Sequence, residues 1–183
     1  MLIRMMCNVF KDGYYFSKFV LCTVNFTSDG LFRTEEYFLI KQNNNIMYPL
    51  QMTVPMAREL NDIGFESLTT AESVSNILEN EEGTTLVVVN SVCGCAAANA
   101  RPGVRMSLSN DKRPDKLVTV FAGVDFDATK KAREYFLPYP PSSPSIALFK
   151  DGKLVHFIER HNIEGRSASM IAQNLQMAYD EYC

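Results

Sequence analysis

The stretch Thr84–Asn90, "TTLVVVN", is an unbroken run of apolar and β-branched residues. Three residues later it gives way to "CGCAAANARPGV", Cys93–Val104, whose composition turns to helix formers. A strand without polar alternation has both faces buried, as a central strand does in a sheet covered on both sides. The corner where this strand meets its helix therefore fixes the centre of the fold, and it carries two cysteines one residue apart.

The neighbouring segments extend the pattern outward. Upstream, "VPMARELNDIG" predicts a helix with Thr53 as N-cap, Pro55 in the first turn, apolar positions at Val54, Met56, Leu60 and Ile63, and Gly64 as its stop. "FESL", Phe65 to Leu68, is a short strand, and Thr69 or Thr70 caps a helix to about Asn80, broken at Gly83. Downstream come a helix from about Cys95 to Leu108, the strand "LVTVFAG" at Leu117 to Gly123, and a helix from Asp127 to Phe136. "SIALF" and "LVHFIE" flank Asp151-Gly152, a dipeptide that favours positive φ and hence a hairpin. Ser167 caps a final amphipathic helix with Ile171, Leu175, Ala178 and Tyr182 on one face. From Phe65 onward the order is β-α-β-α-β-α-β-β-α. It predicts an α/β fold with a central mixed β-sheet flanked by helices on both faces.

Composition narrows the functional classes. With 183 residues, 46% of them hydrophobic, and no repeat or low-complexity tract, the chain has the profile of one soluble domain with a real core. The net charge of −3 and scattered Lys and Arg offer no basic stripe, so no nucleic acid partner is expected. Five cysteines, an odd number, without a signal sequence argue against a secreted disulfide framework and for a reducing cytoplasm. Tyr14 to Phe26 is too short to span a bilayer and is broken by Ser17 and Lys18, so no membrane association is expected.

Residues 1–46 differ from the rest. They are rich in Phe, Tyr, Ile, Lys and Asn, show weak alternation in "LFRTEEYFLIK", and read as a hairpin followed by a loop, with turn signals at Asp12-Gly13 and Asp29-Gly30. Composition changes abruptly at Met47. The expectation is that 1–46 is an N-terminal extension outside the functional protein, with Met47 as the true start. Its rival is a genuine hairpin docked on a sheet edge.

The chemistry concentrates at the corner. Cys93 follows a central strand at the amino end of a helix, where free N–H groups and the helix dipole favour thiolate and can lower a cysteine pKa from about 8.5 to roughly 3.5–7.5. Cysteines two apart can pair across about 5.5 Å between Cα atoms if the backbone is irregular, and Gly94 is expected to supply that irregularity. The resulting ring is smaller than that of a Cys-X-X-Cys pair, which suits exchange or oxidation better than strong reduction. Other readings stay open. Cys7 and Cys22 read as small buried hydrophobes. A metal site would need Cys183, His156 and His161 to converge on the pair, and both histidines read as structural. Pro144, in "YPPSSPSIALF", stands immediately before a strand, in the loop ahead of the hairpin that a sheet of this order brings close to the nucleophile. A cis Ser143-Pro144 bond is expected to expose backbone groups there, against the rival of a merely rigid loop. Pro102 should kink the helix about two turns after Cys93, and Arg101 either holds an anionic thiol substrate or lies on a solvated face.

The segments "TTLVVVNSVCGCAAANARPGV", "LVTVFAGVDFDAT", "YPPSSPSIALFKDGKLVHFIERHNIEGRSA" and "DEYC" closely resemble the bacilliredoxins, thioredoxin-fold proteins with a Cys-Gly-Cys active site. The likeness covers Met47 to Cys183; residues 1–46 have no counterpart in it. The resemblance implies a thioredoxin-like domain over 47–183 and a cytoplasmic thiol-disulfide oxidoreductase that removes bacillithiol, a small thiol, from mixed disulfides on proteins. Weak disulfide isomerase activity goes with the family. It implies Cys93 as nucleophile and Cys95 as resolving thiol, with bacillithiolated client proteins, bacillithiol and an upstream reductant as partners and no cofactor. A metal or metal-cluster carrier, or a thioredoxin-like interaction module with incidental cysteines, are the alternatives.

Overall fold

The computed structural model describes the backbone of Leu2–Lys11, Tyr14–Thr23 and Asn80, and residues 47–79 and 82–183 with their side chains. The chain parts into two compact units between Asn43 and Asn44. In the first, β1 (Leu2–Lys11) and β2 (Tyr14–Thr23) form an antiparallel pair in unbroken register from Leu2↔Thr23 to Lys11↔Tyr14. The strand ends are two residues apart, and the intervening sequence Asp12-Gly13 is the composition that favours two-residue hairpin loops. The alternating stretch 31–41 and Asp29-Gly30 lie outside the described residues.

The second unit is built on a five-stranded sheet. Its strands are β3 (Glu66–Ser67), β4 (Thr84–Asn90), β5 (Lys116–Phe121), β6 (Ser145–Lys150) and β7 (Lys153–Ile158), in the order β3-β5-β4-β6-β7. β3 and β4 run parallel to β5, β6 runs antiparallel to β4, and β7 antiparallel to β6. All seven residues of β4 are buried, as its lack of polar alternation requires.

Alternate residues of the central strands build two cores. Leu86, Val88, Ile146 and Leu148 pack with Leu60 of α1 (Leu50–Asn61), Val104 of α3 (Arg101–Ser107), and Ile171, Leu175 and Tyr179 of α6 (Ala168–Tyr182). Val87, Val89, Val118, Val120, Ala147 and Phe149 pack on the other face with Val74 and Leu78 of α2 (Ala71–Asn80) and Ala128 and Ala132 of α4 (Phe126–Glu134). This mixed sheet between two helical layers is the thioredoxin-like arrangement that the resemblance implied.

Local signals explain most boundaries. Thr70 caps α2, its hydroxyl accepting from Ser73 N at 3.1 Å, and Ser167 caps α6 by accepting from Met170 N at 3.3 Å. Asp151 (φ 49) and Gly152 (φ 72) are both left-handed, so the β6–β7 hairpin turns as its sequence predicts. A short helix α5 (Arg160–Ile163), without a clear sequence signal, follows β7.

Two helix expectations need correction. Thr53 is not a cap: α1 starts a turn earlier behind Pro49, whose φ of −57° is preset by its ring, and Pro55 lies inside the helix. Thr53 is buried instead, its hydroxyl directed at Pro49 O and Leu50 O. After β4 the helix starts at Gly94 and widens at once into a π-helical turn, Ala96–Ala100, in which Arg101 N donates to Ala96 O, five residues back. This widened turn directly precedes Pro102, which brings no N–H to an ordinary helical ladder; the irregularity expected as a kink at the proline is met as this wider turn.

Candidate active site

β4 delivers the chain to its corner at Asn90. Ser91 is buried, Cys93 and Cys95 are half-buried, and Gly94 between them is exposed. Cys93 and Cys95 are joined as a disulfide with Cα atoms 5.5 Å apart. Gly94 is not among the left-handed residues, and a Cβ there would meet nothing within 4 Å. The spacing therefore does not draw on glycine's conformational freedom, contrary to the expectation. Cys93 stands just ahead of the first helical residue, Gly94.

The two sulfurs have different surroundings. Cys93 Sγ accepts hydrogen bonds from Ser91 Oγ at 3.2 Å and from the Ala96 N–H at 3.3 Å. Ala96 and Ala97 also donate to Cys93 O, at 3.1 and 3.3 Å, so the opening of the helix gathers its donors around this residue. In the reduced state the same donors favour thiolate over thiol. Cys93 lines an open groove of about 430 Å³, with Tyr48, Ala122, Phe126, Thr129, Arg133, Ser143 and Arg160 among its other walls. Cys95 is not part of that lining and packs against the core below α3 and α6.

The opposite wall is the loop before β6. The Ser143-Pro144 peptide bond is cis, and a second cis bond, Leu137-Pro138, precedes it. Arg160 of α5 ties this loop down: its Nη1 donates to Ser143 O at 3.1 Å and its backbone N to Ser142 Oγ at 3.4 Å. Its Nη2 pairs with Glu164 at 3.3 Å.

Arg101 has neither of the roles expected of it. It is 3% exposed, and its guanidinium grips Glu59 through Nε (2.7 Å) and Nη2 (3.2 Å). Its Nη1 donates to Asn90 Oδ1 at 3.1 Å and Ser91 O at 3.2 Å, and Asn90 Oδ1 also accepts from Ser91 N at 2.9 Å. Asn90 Nδ2 closes the network on Met56 O at 3.2 Å. A charge in this position needs several polar partners at once, and the end of β4 provides them. Arg101 is thus a buried clamp on the strand end that carries Ser91 and Cys93.

The remaining cysteines and histidines stand apart. His156 Nε2 meets Asn174 Oδ1 at 2.8 Å, binding β7 to α6, and His161 is exposed, 3.8 Å from Glu159. Cys183 ends the last helix, and its thiol is pushed above the usual range by burial first and then by the nearby Asp115, against a Thr84 hydrogen bond that lowers it. Among the described residues no three His, Cys, Asp or Glu side chains gather as a metal-binding group, so the convergence that a metal site needed is not found there. Cys7 and Cys22 lie where only backbone is described. No helix among the described residues is long and apolar enough to cross a membrane.

A family model described as disulphide isomerase matches residues 48–183. Over 135 residues the chain is 63% identical to a bacilliredoxin of Cytophaga hutchinsonii, a match spanning 74% of this chain and 99% of that one. The chain belongs to the bacilliredoxin family. A bacilliredoxin of Halalkalibacterium halodurans is 57% identical over 136 residues, spanning 74% of this chain and 94% of the relative. As a bacilliredoxin the protein is a thiol-disulfide oxidoreductase that debacillithiolates proteins, acting on bacillithiol-related substrates. Among solved structures, the oxidised mitochondrial thioredoxin 3 of Saccharomyces cerevisiae aligns at 16% identity and a TM-score of 0.44, covering 65% of this chain and 96% of that one. The oxidised thioredoxin of Plasmodium falciparum aligns at 15% identity and a TM-score of 0.45, covering 63% and 98%.

Sequence reasoning missed several groove residues of this bacilliredoxin. Ser91 could have been found from its place two residues before Cys93, where a hydroxyl can reach back to the sulfur. Thr129 and Arg133 carry no such mark; only the packing of α4 against the sheet brings them to the groove.

Proposed function

We propose that Cys93 is the attacking thiolate and Cys95 the resolving thiol of the debacillithiolation reaction. The supporting observation is the asymmetry of the pair: Cys93 Sγ lies in the groove with two donors on it, while Cys95 packs toward the core. Cys93 thiolate attacks the bacillithiol sulfur of a modified client. The client sulfur leaves with the electron pair of the broken S–S bond and takes a proton from water. Bacillithiol is then held on Cys93, and the thiolate of Cys95 attacks Cys93 Sγ, expels bacillithiol and leaves the internal disulfide. An upstream dithiol reductant returns two electrons and two protons to reset the pair.

On this reading bacillithiolated client proteins, bacillithiol and that reductant are the partners, the reaction needs no cofactor, and its place is the cytoplasm, whose thiol pool sustains it. The Ser143-Pro144 wall receives the client backbone beside Cys93. Weak disulfide isomerase activity accords with the description of the matching family model.

The test is mass spectrometry of the full chain after incubation with a bacillithiolated protein. Cys93→Ser should abolish transfer, and Cys95→Ser should accumulate one bacillithiol on Cys93. Transfer that survives in Cys93→Ser with the adduct on Cys95 would reverse the assignment.

A further inference from the structure

Two buried side-chain polar atoms among the described residues have no hydrogen-bond partner in the protein, Thr129 Oγ1 and Arg133 Nε. Both belong to α4, and both line the groove that holds Cys93. Spaced by four residues, they occupy one face of the helix, one turn apart. We propose that Thr129 and Arg133 form a carboxylate-binding subsite that holds the small thiol while it is disulfide-linked to Cys93.

The chemistry of the two side chains specifies the ligand. Thr129 is 3% exposed, and its hydroxyl leaves unused the back-bond to the Asp125 carbonyl one turn earlier that helical threonines commonly make. Buried hydroxyls and guanidinium N–H groups are costly when unpaired, so their persistence beside a reactive sulfur marks donors awaiting an acceptor. Burial also draws the Arg133 guanidinium below its ordinary pKa, as it does for a cation short of solvent.

The charges around it leave the position open to an anion. Arg160 is engaged with Glu164 and Ser143 O, Lys131 pairs with Glu134, and the groove lining carries one carboxylate, Asp127, beside the cations Lys130, Arg133 and Arg160. A carboxylate has two oxygens, so it can take the hydroxyl and the guanidinium fork together. The thiol that becomes bonded to Cys93 is the molecule brought into this groove in every turnover, so a carboxylate on that thiol is delivered to the subsite by the reaction itself.

This inference rests on Cys93 as the sulfur that accepts the small thiol. The test uses one neutral reporter peptide carrying a mixed disulfide with mercaptosuccinate, with 2-mercaptoethanol or with cysteamine, and measures kcat/KM for each with the full chain. The intact protein should prefer the mercaptosuccinate disulfide. Arg133→Gln and Thr129→Val should each slow that substrate about tenfold, the loss of one charge-assisted hydrogen bond, and leave 2-mercaptoethanol within about twofold. Thr129→Ser should restore the preference. Equal rates for charged and neutral thiols in the intact protein, or a uniform slowing of all three by Arg133→Gln, would overturn the subsite. So would a loss of the same size for the 2-mercaptoethanol disulfide of a second reporter peptide with an acidic residue beside the cysteine, since the anion would then be the client's. Failure of the underlying reading shows differently: Cys93→Ser would still turn over all three disulfides.

Discussion

Two donors converge on Cys93 Sγ, the Ser91 hydroxyl and the Ala96 amide, and each favours the ionised sulfur. Of the two, the hydroxyl can be removed without touching the backbone. Ser91→Ala should therefore raise the Cys93 pKa by about one to two units, since a hydrogen bond to a charged group contributes about 1.5–3 kcal/mol and one unit is about 1.4 kcal/mol. The rate of iodoacetamide alkylation of the reduced protein, followed across pH, checks this. The variant should be slower at mildly acidic pH and converge with the parent at alkaline pH, whereas superimposable profiles would remove Ser91 from the account. The pairing of Cys93 with Cys95 and the cis bond at Pro144 were legible because each stands at a boundary between strand, helix and loop that the sequence marks. Arg101 was not, because a charged residue beside a proline carries no trace of the Asn90 carbonyl and Glu59 carboxylate that surround it in the fold. Thr129 and Arg133 were missed for the same physical reason: burial belongs to the partner surface as much as to the residue.

At the scale of elements, unbroken apolar runs located the central strands and a period of 3.6 located α6, because those elements bury both faces or one face completely. Helix starts set by proline escaped the same reasoning, as Pro49 ahead of α1 shows. The packing of α3 on α6 offers a direct measurement. A Cβ on Gly103 would stand 2.8 Å from Ile171 Cβ and Cγ2 and 3.0 Å from the Ala168 carbonyl oxygen, distances that force the two helices apart. Gly103→Ala gains helix propensity of about 1 kcal/mol but overpacks the contact, which typically costs about 1–3 kcal/mol. The expected outcome is a net loss of up to about 2 kcal/mol, read as a lower urea midpoint at unchanged m-value. A midpoint at or above that of the parent would mean that the crossing is looser than its geometry indicates. Because α3 follows directly on the π-helical turn after Cys95, the same variant should also slow exchange, provided that the helix shift reaches the corner.

For the whole molecule, the order of strands and helices from Phe65 onward was legible except for the short α5, whereas the relation of residues 1–46 to the remainder was not a question that periodicity could answer. Met47 N donates to Gly123 O at 3.0 Å, and the Tyr48 ring covers Gly123 so closely that a Cβ there would meet it at 2.7 Å. Among the described residues, the contacts of the second unit thus begin at Met47. A chain trimmed to residues 47–183 should keep full debacillithiolation activity and the thermal midpoint of that unit, as measured by calorimetry beside the full chain; a lower midpoint would assign the first 46 residues a stabilising part. The trimmed chain has a further use. Its one cysteine outside the motif is Cys183, whose thiol neighbours Thr84 at the start of β4, while Cys93 lies beyond Asn90 at the other end, about 20 Å away at some 3.3 Å per residue. A dye or surface linker attached at Cys183 would therefore leave the groove facing outward, giving an oriented, single-point handle for catching client proteins on the reactive pole.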